Sequence, residues 1–165
     1  MSDDVFDKIA IIGIGLLGAS IAHATHAFGG AAKVALWDVS EDVRKRAARV
    51  VHGAVCETVD EAVAEADCVI LCTPVGVLAE VTQTLSGALK PGAILTDVGS
   101  VKAKAAEDMA AHCPAGVHLI PGHPIAGTEK SGPEAGFASL FQNVVSRSTA
   151  TAYASLWSAI GVKMC

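Results

Sequence analysis

The chain has 165 residues, 52% of them hydrophobic and only 4% aromatic, with a formal net charge of −5. That length fits one domain of ordinary size with a core of its own, and an acidic balance without a basic patch argues against a non-specific nucleic-acid or anionic-membrane partner. Five cysteines, at 56, 68, 72, 113 and 165, form no CxxC pair and are odd in number. They fit reduced, mostly buried thiols in a cytoplasmic protein better than a disulfide framework.

The acidic start, MSDDVFD, does not have the make-up of a secretion signal. From Lys8 to Lys33 no formal charge intervenes, as in a membrane span, but glycines and two histidines interrupt the stretch. Its period also changes, from a continuous apolar run at Ile9 to Ile12 to a helical pattern from Leu16, so it reads as two elements. Between them lies a GxGxxG loop made of Gly13, Ile14, Gly15, Leu16, Leu17 and Gly18. In this order Gly13 permits a tight turn, Gly15 lets backbone N–H groups reach a pyrophosphate, and Gly18 lets the helix pack close to the strand. The helix N-terminus then offers unpaired N–H groups and a positive dipole end to the phosphates. A second strand ends in Asp38, 20 positions after Gly18, the spacing at which an acid accepts hydrogen bonds from ribose hydroxyls. A dinucleotide site is the expectation, with NAD favoured because a carboxylate repels a 2′-phosphate. Arg44, Lys45 and Arg46 keep NADP open, unless they form a solvated helix face.

Beyond Asp38 the pattern predicts helix 41–52, strand 54–56, helix 58–65, strand 68–72, helix 76–88, strand 93–97, helix 101–112 and strand 117–120. Each connection between these alternating elements is short, as right-handed crossovers onto one parallel sheet require. The expected fold is therefore α/β of the Rossmann type, doubly wound, with a mostly parallel sheet covered by helices on both faces. Ligands on such sheets sit beyond the carboxyl ends of the strands. There the fourth strand runs into Thr73, Pro74 and Val75, either a plain turn or a close backbone approach to a cofactor. The fifth runs into Asp97 and Gly99, expected to contact the cofactor, and Ser100 at the start of a helix, where Ser100 reads as an N-cap or as a catalytic group. The sixth runs into PGHPIAGTEKSG, residues 121–132, which sets His123 in a rigid loop on the ligand edge. A histidine there is placed to take a proton while a hydride leaves for a nicotinamide. His23, His26, His52, His112 and His118 read as structural or surface residues, and no metal-ligand pattern is present.

Taken together, GIGLLGASIA, LCTPVG, DVGSVK and HPIAGTEKSG resemble the successive signatures of the prephenate and arogenate dehydrogenases, from about Lys8 to Asn143. The resemblance implies oxidative decarboxylation in tyrosine biosynthesis: hydride leaves the hydroxyl-bearing ring carbon, the ring carboxylate departs as carbon dioxide, and the ring becomes aromatic. It implies that His123, as the neutral ring, draws the proton from the substrate hydroxyl and that Ser100 supports the same hydroxyl. Thr128 and Glu129 match pocket-lining positions, or else form a polar loop tip. Two features depart from the family. Val144 to Ser148 lead straight into a helix-like ATAYASLWSAIG, so this section is expected to be shortened relative to the family, and residues 1–165 are expected to form only the nucleotide-binding domain. The helical domain that dimerises the family and supplies cations for the substrate carboxylates is expected to be missing, which would leave VKMC as an open strand edge and Trp157 uncovered. Two other functions stay open: a different NAD(P)-dependent reductase of this fold, and a non-catalytic dinucleotide-binding domain.

Overall fold

The computed structural model describes residues 5–100, 102–142, 145–146, 157–158 and 163–164. Along the chain run β1 (Phe6–Ile12), α1 (Leu16–Phe28), β2 (Ala31–Trp37), α2 (Glu41–Val50), β3 (Ala54–Val55), α3 (Val59–Val63) and β4 (Cys68–Leu71). After these come α4 (Leu78–Leu85), β5 (Ile94–Asp97), α5 (Lys102–Ala110) and β6 (His118–Leu119). The six strands form one sheet in the order β3-β2-β1-β4-β5-β6, with every pair parallel. The apolar stretch between Lys8 and Lys33 thus divides into strand, helix and strand, and no helix among the described residues is long and apolar enough to cross a membrane.

Alternation along the strands sorts the core into two layers. Ile9, Ile11, Leu36, Cys68 and Ile70 face α1 and α2, whereas Ala10, Ile12, Ala35, Val69, Leu71 and Leu95 face α3, α4 and α5. Strands buried on both faces need no polar alternation, which is why they read as continuous apolar runs. The register brings Ile12 level with Trp37 and with Leu71, and Leu71 level with Asp97. The segments that follow these four residues therefore leave the sheet side by side. The strand order reverses between β1 and β4, so the crevice where a ligand can enter opens between the glycine loop and Thr73.

Three expectations change. The helix predicted over 76–88 begins only at Leu78, because Pro74 leads the chain into a 3₁₀ turn at Val75–Val77 first. Val145–Ser146 is a strand, β7, paired in parallel with β8 (Lys163–Met164) in a separate two-stranded sheet. Parallel pairing needs a crossover of about a dozen residues or more, which the intervening 147–162 supply. Trp157 is fully buried, not uncovered, with its ring edge-on to Phe141 at 5.8 Å in the layer that covers α1. Most of the helix-like segment 150–161, like Asn143 and Val144, lies outside the described residues.

Candidate active site

The glycine loop is shaped by close approaches of backbone to backbone. Gly13 has φ +98°, and a Cβ there would stand 2.6 Å from the Cys72 carbonyl oxygen; only glycine takes this conformation without strain. The Gly13 N–H donates to the Trp37 carbonyl at 2.8 Å and the Cys72 N–H to the Ile12 carbonyl at 2.7 Å, which ties the loop to both neighbouring strands. A Cβ on Gly18 would meet the Gly13 carbonyl oxygen at 2.0 Å, whereas one on Gly15 would meet nothing within 4 Å. The free space at Gly15 leaves the backbone there open to approach. Gly15 is also the N-cap of α1, and no side chain caps that terminus, so its backbone donors remain available to an anion.

Asp38 stands at the mouth of the same space. Its Oδ2 accepts from the Ile14 N–H and its Oδ1 from the Ser40 N–H, both at 2.9 Å. The carboxylate braces the glycine loop while lining a cavity of about 670 Å³ with Gly13, Gly15, Thr73 and Pro74. Arg44 is turned to the chain, donating to the Asp38 carbonyl at 2.8 Å, while Lys45 pairs with Glu41 and Arg46 with Asp42 and Glu134.

A second cavity, of about 680 Å³, adjoins the first through Cys72, Thr73 and Pro74. Leu17, Val75, Gly99, Ser100 and His123 line it. Ser100, exposed, and His123, half-buried, thus line one cavity, which shares the Cys72, Thr73 and Pro74 wall with the cavity at the glycine loop. α5 is described from Lys102, and Val101, between it and Ser100, lies outside the described residues. The Thr73 hydroxyl is buried where the two cavities meet and has no partner among the described residues, an orphan that a bound ligand can satisfy. Burial pushes the Cys72 thiol well above its ordinary range, helped by the Asp97 charge, so this sulfur lines the crevice as an inert apolar group.

Not every predicted residue joins this constellation. The Ile14 side chain is in the core, and Leu16 packs at its edge. Asp97 is fully buried and its carboxylate is turned to backbone donors. Thr128 and Glu129 lie beyond Gly127, exposed and outside both cavities; the Thr128 hydroxyl accepts from the Lys130 N–H at 3.2 Å. Conversely, the wall of the first cavity includes Trp37, Val39, Val77, Val81 and Thr84. Their only sequence signal is adjacency to Asp38 and a helical spacing toward the crevice.

A parallel sheet in this order, with its glycine turn and braced acid at the switch point and a histidine in the loop after β6, defines a domain of the dinucleotide-binding class. A family profile described as "Prephenate dehydrogenase, nucleotide-binding domain" matches residues 21–154, and the chain belongs to that family. It is 45% identical over 140 residues to the cyclohexadienyl dehydrogenase of Zymomonas mobilis, covering 84% of this chain and 47% of that protein. The prephenate dehydrogenase of Bacillus subtilis is 31% identical over 141 residues, or 83% and 38% of the two chains. The chain therefore spans about half the length, or less, of the curated relatives it matches. Among solved structures, prephenate dehydrogenase from Aquifex aeolicus in complex with hydroxyphenyl propionate and NAD+ superposes with a TM-score of 0.82. It is 27% identical, over 99% of this chain and 59% of that one. Synechocystis arogenate dehydrogenase superposes at 0.84 with 27% identity, over 96% and 58%.

Proposed function

We propose that this chain is the NAD-binding and proton-transfer domain of a dehydrogenase that oxidatively decarboxylates a cyclohexadienyl acid, prephenate or arogenate. The observation that carries this reading is the adjacency of the two cavities, which share Cys72, Thr73 and Pro74, with the glycine loop and Asp38 lining one and Ser100 and His123 the other. Gly13, Gly15 and the α1 N-terminus would hold the pyrophosphate, Asp38 the adenosine ribose, and the Thr73 and Pro74 turn the middle of the dinucleotide. When bound, the nicotinamide supplies the hydride acceptor. His123 accepts the proton of the ring hydroxyl as that carbon becomes carbonyl-like, Ser100 holds the same oxygen, and loss of carbon dioxide aromatises the ring. Leu17, Val75, Pro124 and Ala126 add apolar surface beside the reacting carbon.

Among the described residues lining the second cavity none is Lys or Arg, so the substrate carboxylates take their cationic partners from elsewhere in the active protein. Family homodimerisation, and a helical domain to supply those cations, belong to the same proposal. Calorimetric titration with NAD and NADP, followed by an absorbance assay for reduced cofactor with prephenate and then arogenate, tests it. NAD binding without turnover by these 165 residues, and turnover by a longer form carrying them, is the expected result. Failure to bind NAD would overturn the reading.

A further inference from the structure

Ser100 and His123 stand on different loops, one after β5 and one after β6. The β5–β6 ladder ends with the Ile120 N–H donating to the Leu95 carbonyl at 2.9 Å. In a parallel pair the next donor, two residues on, is the Gly122 N–H, and its ladder partner would be the Asp97 carbonyl. At this position the Gly122 N–H donates to the Asp97 side chain, to Oδ1, at 3.2 Å. The other carboxylate oxygen, Oδ2, accepts from the Gly99 N–H at 2.8 Å.

We propose that Asp97 is a positioning residue, whose buried carboxylate fastens the backbone just ahead of Ser100 to the backbone just ahead of His123 and so sets their separation across the cavity. Each clamped amide belongs to the residue immediately before a functional side chain. Pro121 and Pro124 limit the backbone on either side of Gly122 and His123, so the ring follows the clamped amide closely. Gly99 is shaped to the clamp, since a Cβ there would stand 2.7 Å from Asp97 Oδ2. Asp97 itself is 0% exposed, and a carboxylate suits the place because both of its oxygens accept. Asparagine would turn an NH₂ group toward one of the two N–H donors.

This inference rests on the proposed roles of Ser100 and His123, and the test separates the two. Amide hydrogen exchange on the 165-residue chain comes first: Gly99 and Gly122 should exchange slowly although neither lies in a helix or strand, and exchange at open-loop rates would overturn the clamp. Asp97→Asn should speed both amides at least about tenfold and move the His123 ring resonances, with β1 and α1 amides unchanged. In the form that turns over, Asp97→Asn and Gly99→Ala should each lower kcat about tenfold to a hundredfold, as misplacement of reacting groups does, with the KM for NAD within about twofold. In a His123→Asn background, Asp97→Asn should cost no more, because its effect passes through His123. If His123→Asn keeps full kcat, the functional reading fails. If it abolishes kcat while Asp97→Asn keeps the wild-type rate, only the positioning role fails. Should Asp97→Asn not fold, as judged by circular dichroism, the wild-type exchange rates and Gly99→Ala still decide.

Discussion

At the scale of single residues, Gly15 and Gly18 belong to one motif yet do different work. A methyl at Gly18 collides with the Gly13 carbonyl oxygen at 2.0 Å, whereas a methyl at Gly15 enters open space beside the first cavity. Gly18→Ala is therefore expected to force α1 away from β1, lowering stability by about 2 kcal/mol or more and weakening NAD binding with it. Gly15→Ala should melt within a degree or two of wild type and still bind NAD at least about tenfold more weakly, because the methyl occupies the pyrophosphate cradle. Denaturant titration and calorimetry on the two variants check the separation; equal stability losses would show that both glycines serve packing alone. This distinction was only half visible in the sequence. The motif gives spacing and therefore roles, but the Ile14 and Ser40 amides that Asp38 accepts from depend on how the loop after β2 folds back, which no spacing encodes.

At the scale of elements, the strand ends divide chemistry from stability. The carboxyl ends carry the crevice, and the opposite edge is held by Asp67, whose Oδ2 accepts from the Asp7 and Lys8 amides at 2.9 and 3.0 Å while Oδ1 meets the Lys90 ammonium at 2.5 Å. Burial works to raise the Asp67 carboxyl, but Lys90 and the two amides outweigh it and hold the group below the usual carboxylate value. A carboxyl depressed in the folded state contributes stability that is complete above its unfolded pKa, about 3.9, and is lost as pH falls through the folded value. Asp67→Asn should cost on the order of 1 kcal/mol at pH 7, since the pair is partly screened by solvent, and should flatten the acid limb of the stability curve. NAD affinity should not change, because the substitution lies at the far end of β1 and β4; a shift in the dissociation constant would tie this edge to the crevice. The alternation of these elements was legible because parallel strands buried on both faces and short loops leave a strong pattern. The length of α4 was not, since the 3₁₀ turn after Pro74 is set by local geometry rather than by periodicity.

At the scale of the whole molecule, the two tryptophans sit in places that the sequence could not separate. Trp157 was expected on an open face because the helical domain was expected to be missing, yet packing within these residues decides its burial: it is 0% exposed, with Phe141 edge-on to it in the layer over α1. Trp37 ends β2 beside Asp38 and lines the first cavity, with its Nε1–H donating to the Glu57 carbonyl at 3.4 Å. One indole therefore reports the fold and the other reports the crevice. Trp157→Ala should cost about 3–5 kcal/mol by opening a large cavity in the core, and denaturant unfolding followed by circular dichroism will measure it. Emission from Trp157 should be blue-shifted and indifferent to ligand, whereas NAD seated along Gly15 and Asp38 should quench Trp37 in step with the calorimetric isotherm. In Trp37→Phe the quench should vanish while NAD still binds. Persistence of the full quench in that variant would mean that cofactor binding is felt at Trp157, and that the glycine-loop crevice and the layer covering α1 move as one unit rather than as a fixed scaffold with a ligand edge.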